Sequence, residues 1–397
     1  MLLINNISCL ATMTEEQQNI FDAALVLDKN KISWCGSAQD IPNLKFEQII
    51  DASNSLVLPG LIDCHTHIIF AGSRAHEFAR RMNGESYAAI LAQGGGILST
   101  VKHTRESSED QLYRIGCARA HKILRQGVTT LEVKSGYGLN YESEMRILRV
   151  INKINHEQLL DLYPTYLAAH VIPSEYKNNP EAYVNLVINW LEKISEENLA
   201  RDCDVFCEAG AFSVEQAYKI LKKAYEFGFG LRAHVQQLGP SGGLALLERL
   251  PIKSISHADY LSPDDLNLLA RSSSIVEILP FANLFLRQTQ SPPIKKLISA
   301  GVNLAIATDF NPGSAMCDDL ILAARLAVTL NNFDIYSALK AITSIAAKAL
   351  GYNDRGFIKP GLKADILITQ CNSIDDFFYD WSKNPVRLVI KDGQLVS

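Results

Sequence analysis

The 397-residue chain has no C-x-x-C pair, no long apolar run and no block of like charges. Each absence excludes a class of protein. A membrane-spanning helix needs roughly 18 or more consecutive apolar residues, and no stretch approaches that. The opening M-L-L-I-N-N-I-S-C-L is interrupted by asparagines and lacks the basic start and long apolar core of a secretion signal, so a cytoplasmic protein is expected. Eight scattered cysteines, in a chain large enough to need no staples, point to free thiols in a reducing compartment; Cys203 and Cys207 have no second pair with which to form a zinc knuckle. The formal net charge of −5, without a basic patch, leaves no electrostatic footprint for nucleic acid or a membrane surface. The Gly94-Gly95-Gly96 run follows no strand and is not followed by Lys-Ser/Thr, which argues against a phosphate-binding loop.

What is present describes an ordinary globular protein, 47% hydrophobic and 20% charged. Its length exceeds the roughly 250 to 300 residues at which one core stops growing, so a large domain with a smaller one is expected. The two ends are β-rich. A-A-L-V-L-D-K-N-K-I-S-W-C-G reads as a hairpin, and A-D-I-L-I-T-Q with V-R-L-V-I-K-D-G-Q-L-V reads as strands turning at Asp392-Gly393. Residues 1–55 and 355–397 are therefore expected to meet in one small β domain. Between them, over 56–354, eight short apolar strands alternate with helical segments: Leu56 to His65, Thr129 to Lys134, Tyr163 to His170, Cys203 to Ala209, Gly230 to Val235, Ser254 to Asp259, Ile275 to Phe281 and Val302 to Thr308. This α/β pattern matches a (β/α)8 barrel. A doubly wound sheet would show a Gly-rich turn after its first strand, where this chain has H-T-H.

In such a barrel, chemistry gathers at the C-terminal ends of the strands. The first apolar run, L-V-L-P-G-L-I-D-C-H-T-H, closes with His65 and His67, which share one strand face because side chains alternate with a period of two. Later runs close with His170, His234, His257 and Asp309. Three histidines and a carboxylate, His65, His67, His234 and Asp309, suit zinc or iron with a position left open for an acidified water. His257 is expected beside the metal but off it, orienting the nucleophile or polarising a carbonyl.

With these residues the chain resembles the amidohydrolase superfamily, whose first-strand motif is P-G-L-I-D-C-H-T-H and whose later His, His and Asp follow in this order. R-A-H-E-F, Y-A-A-I-L-A-Q-G-G-G-I-L-S-T-V, L-E-V-K-S-G-Y-G-L and A-T-D-F-N-P-G-S resemble the branch that hydrolyses the ring amide of 4-imidazolone-5-propanoate to N-formimidoyl-L-glutamate in histidine degradation. The resemblance covers the whole chain. It implies a barrel with a small β-sandwich, one zinc or iron ion per chain, catalysis by Asp309 and His257, and a homodimer. It also implies that Arg74, Tyr137 and His170 hold the substrate, mainly its propanoate, and that Asn311, Gly313 and Ser314 contact the other carboxylate of the product. Gln237 stands at a substrate-contacting position where some members carry Glu, and Ser314 where Thr is usual. A planar guanidinium at Arg74 suits a carboxylate. Glutamine cannot accept a proton, so proton transfer is expected to rest on Asp309, His257 or solvent.

Three other readings stay open. An aminohydrolase acting on a purine or pyrimidine would share the metal set, although an uncharged base gives Arg74 nothing to bind. A non-catalytic scaffold would be expected to have lost ligands. A two-metal hydrolase would recruit Lys134 or Glu208.

Overall fold

The computed structural model describes residues 1–16, 19–85 and 95–396. Part of the Y-A-A-I-L-A-Q-G-G-G motif, Gly94 included, lies outside the described residues. Eight parallel strands form one sheet in sequence order: Leu61–Asp63, Val128–Lys134, Asp161–Ala169, Asp202–Cys207, Gly230–Val235, Ile252–His257, Ile275–Ile278 and Leu304–Ile306, here called barrel strands one to eight. The sheet curls until its ends meet. The Asp309 amide donates to the His65 carbonyl (3.0 Å), the His67 amide to the Phe310 carbonyl (3.0 Å), and the Thr308 hydroxyl to Asp63 (2.6 Å). Helices between the strands make this a (β/α)8 barrel.

Helix starts follow local chemistry. Ser108, Ser213 and Ser262 each cap the backbone three residues on and receive a reciprocal side-chain bond, so the helices begin at Glu109, Val214 and Pro263 as the sequence suggests. Asn179 caps the helix that opens at Pro180.

The second sheet gathers both ends of the chain. Leu2–Ala11 pairs antiparallel with Asn19–Asp28, which turns at Lys29-Asn30 into Lys31–Ser37. Ile366–Thr369 and Val386–Lys391 join from the other end, and Asp392-Gly393 forms the expected turn, both with positive φ.

Two strand expectations need correction. The run from Leu56 to His65 is two strands: Leu56–Pro59 belongs to the terminal sheet, antiparallel to Ile366–Thr369, and only Leu61–Asp63 enters the barrel. The break falls at Gly60, where a Cβ would lie 2.2 Å from the Thr129 hydroxyl, so only glycine lets the chain cross between sheets here. Barrel strand seven stops at Ile278, and Pro280 begins the helix Pro280–Leu286. Proline offers no N–H to a ladder but suits a first helical turn.

Candidate metal centre

Alternate residues of the barrel strands face the interior, and here many are charged rather than apolar. Glu132, Lys134, Asp204, Arg232, Glu277 and the His65 ring are fully buried. Above this layer, the ring nitrogens of His65, His67 and His234 offer ligand atoms within 4.8 Å of one another. Asp309 Oδ1 lies 3.5 Å from His65 Nε2 and 3.4 Å from His67 Nε2. The tautomers follow from the partners. His65 Nδ1 donates to Glu277 (3.0 Å) and His234 Nδ1 to Asp204 (3.0 Å), because a carboxylate only accepts. The Nε2 atoms of both rings are buried, lone pair inward, with no hydrogen-bond partner.

Such orphaned, carboxylate-backed imidazoles fit a divalent transition metal. Burial pushes His65 and His67 well below the usual histidine range, so both stay neutral and keep their lone pairs. Burial would raise Asp204, but the neighbouring His234 and Lys134 hold it well below the ordinary carboxylate range. The backbone is forced as well: Gln236, His257, Ala258 and Asp309, all at strand exits, adopt positive φ, a conformation that costs energy and clusters at functional sites.

The residues expected to serve the metal, catalysis or substrate, except the deeper His65, line one cleft of about 640 Å³ above this centre; Lys134 and Glu208, considered as extra ligands, do not. His257 sits with its ring 5.6 Å from His234 and 6.2 Å from His65; burial lowers it to about 3, so it is a neutral ring. His170 stacks on His67 at 5.4 Å and 20°, and donates through Nδ1 to the Gly136 carbonyl. Tyr137 closes an aromatic triangle with the two, 5.9 Å from His67 and 5.5 Å from His170. Arg74 is gripped by Glu77 through Nε (2.9 Å) and Nη2 (2.9 Å), which leaves Nη1 over Gly313, where a Cβ would come within 2.3 Å of it. The Asn311 side chain is used within its own loop, donating to the Asp309 carbonyl and the Ser314 hydroxyl while accepting from the Gly313 and Ser314 amides. The Ser314 hydroxyl in turn lies 3.3 Å from Asp309 Oδ2. The Gln237 backbone N–H donates to Glu208, whose carboxyl burial raises to about 7.

The Amidohydrolase family model matches residues 56–396. This chain belongs to the amidohydrolase family. Among curated amidohydrolase relatives, the imidazolonepropionase of Shewanella halifaxensis is 41% identical over 97% of this chain and 95% of its own length. That of Idiomarina loihiensis is 39% identical over 98% and 96%. Among solved structures, the zinc complex of an atrazine chlorohydrolase variant from Arthrobacter aurescens superposes with a TM-score of 0.78 at 16% identity, covering 100% of this chain and 95% of that one. An adenosine deaminase from Xanthomonas campestris gives 0.74 at 18%, covering 99% and 92%. Those two share the fold.

Sequence reading missed the charged layer beneath this amidohydrolase's centre. Glu277 accepts from Arg232 and from the Ser256 hydroxyl (2.7 Å) as well as from His65. Lys134, considered as an extra ligand, is instead held between Glu132 (2.8 Å) and Asp204 (2.8 Å). A usable signal existed: ionisable residues inside apolar strands, as in T-L-E-V-K, D-C-D-V-F, L-R-A-H-V and I-V-E-I, are buried only when paired.

Proposed function

We propose that this amidohydrolase opens 4-imidazolone-5-propanoate, hydrolysing its ring amide to N-formimidoyl-L-glutamate in histidine degradation. The observation that carries this reading is one cleft that joins the His-His-His-Asp centre to a guanidinium fixed at its rim. Two imidazolonepropionases of near 40% identity over nearly the full length support the substrate. His65, His67, His234 and Asp309 would hold one divalent ion, zinc or iron; among the described residues the only metal-type cluster is built on these histidines, and Lys134 and Glu208 are engaged elsewhere. When bound, such an ion supplies Lewis acidity to water and to the amide carbonyl.

The remaining steps belong to the chain's own groups. Asp309 takes a proton from the attacking water as its oxygen bonds the ring carbonyl carbon. The amide C–N bond then breaks, the nitrogen receives that proton from Asp309, and the carbonyl carbon leaves as a carboxylic acid whose remaining proton passes to solvent, giving the new carboxylate. His257, neutral and with Nδ1 unpartnered in the protein, donates or accepts a hydrogen bond at the reacting centre rather than bringing charge. Gln237 contacts substrate without accepting a proton. Arg74, Tyr137 and His170 hold the substrate, mainly its propanoate, and the Asn311-Gly313-Ser314 loop, held rigid by the Asn311 side-chain amide, faces the product's other carboxylate. All eight cysteines are free thiols, which supports a reducing, cytoplasmic setting.

Elemental analysis of purified protein, run beside hydrolysis of imidazolonepropanoate, tests the reading. About one zinc or iron per chain is expected. A content near two, or activity in metal-free protein, overturns it.

A further inference from the structure

A continuous buried chain of polar contacts crosses the barrel beneath the cleft. It starts at Thr66, the residue between His65 and His67. The Thr66 amide donates to Glu132 Oε2 (3.1 Å) and its hydroxyl to the Glu132 carbonyl (2.5 Å). Glu132 Oε1 accepts from Lys134 Nζ (2.8 Å), Lys134 Nζ reaches Asp204 Oδ2 (2.8 Å), and Asp204 Oδ1 accepts from His234 Nδ1 (3.0 Å). Every link is shielded from water: Thr66, Glu132, Lys134 and Asp204 are each 0% exposed. At that depth an ion pair is costly to assemble and costlier to break on one side, so a sequence that keeps one is using it for position rather than for net stability. Glu132 and Lys134 share a face of strand two, Asp204 lies on strand four and His234 on the adjacent strand five, so the Lys134–Asp204 link bridges two strands that do not neighbour one another.

We propose that Lys134 is a positioning residue, the hub of a Glu132–Lys134–Asp204 strap that locks the peptide between His65 and His67 in register with the His234 ring. Lys134 does not line the cleft, and its ion pairs are with Glu132 and Asp204; it acts through these two carboxylates. By fixing the distance between the H-T-H segment and strand five, the strap sets how closely three imidazoles converge on one ion. This rests on the reading that these imidazoles and Asp309 hold a divalent metal.

Zinc affinity of the metal-free full-length protein, measured by competition with a chromogenic chelator, tests the strap. Lys134→Met is expected to bind zinc about 10- to 100-fold more weakly, the range seen when groups that orient metal ligands are removed. Its kcat should fall while KM stays within about threefold, since substrate contacts are untouched. Glu132→Gln, which keeps its volume and an acceptor for the Thr66 amide but loses the charge, should weaken zinc binding by about tenfold, and it serves as the test if Lys134→Met does not fold. As a control for burial alone, Lys391→Met removes an equally buried lysine far from the cleft and should leave zinc affinity within about twofold of wild type. Zinc affinity unchanged in folded Lys134→Met, or in Glu132→Gln where the former fails to fold, overturns the strap alone. A wild-type protein that takes up no zinc or iron overturns the metal reading and the strap together.

Discussion

Two lysines in this molecule are completely buried among carboxylates, and they serve different ends. Lys134 lies inside the barrel between Glu132 and Asp204, each of which also holds a part of the H-T-H segment or the His234 ring. Lys391 lies at the seam between the terminal sheet and the bottom of the barrel, among Asp161, Asp365 and Asp392. Asp161 opens barrel strand three and also receives Lys363 and Arg355, so the seam network joins the two sheets. Side chains of Asp161 and Asp392 are 28% and 34% exposed, whereas the Lys134 partners are wholly dry. The same ion-pair chemistry thus fastens one sheet to another at the seam, where water softens its cost, and aims ligands at the mouth, where nothing does.

Substitutions at the mouth should cost activity and leave the fold, and those at the seam should do the reverse. The largest effect is expected for Asp309→Asn, which would remove the proposed ligand and the proposed proton acceptor together: kcat should drop on the order of 10²- to 10⁴-fold with an unchanged circular dichroism spectrum. Near-normal turnover would mean that the mouth has been misread. Next comes Lys391→Met, which strands the buried Asp365 carboxylate and should lower unfolding free energy by about 3 kcal/mol in urea titration. Its kcat/KM should match wild type at 25 °C, and a loss there would erase the contrast.

Arg74→Met is a smaller, sharper probe. Losing a charged hydrogen bond to substrate costs about 1.5 to 3 kcal/mol, or roughly 10- to 150-fold in kcat/KM, with metal content intact. Arg74→Lys should recover only part, because a single ammonium cannot keep both contacts to Glu77 and reach the substrate as well. Unchanged kinetics in both variants would favour an uncharged ring as substrate. The smallest effect is expected for Gly393→Ala at the terminal hairpin. Its φ of 76° and a Cβ position 1.7 Å from the Lys29 carbonyl oxygen predict a melting temperature lower by several degrees, with kinetics unaltered.

From the sequence alone, the barrel, its paired β-rich ends and the side chains that crowd its mouth could all be read, and for a physical reason. A strand in a barrel ends where its apolar run ends, so the polar residue that closes each run, His65, His67, His170, His234, His257 or Asp309, already declares its place. Helix starts were readable because Ser108, Ser213 and Ser262 carry their capping signal within three residues. The family resemblance added the loop residues, of which Arg74 and Tyr137 line the cleft. Tertiary structure alone decided which carboxylate backs which imidazole: Asp204 and His234 lie 30 residues apart and meet because strands four and five pair, whereas Glu277 and His65 lie 212 apart and meet because the barrel closes. It also decided that Leu56–Pro59 joins the terminal sheet, since strand pairing depends on a partner more than 300 residues away. Local pattern declares what a residue faces; the partner it faces is chosen by the whole fold.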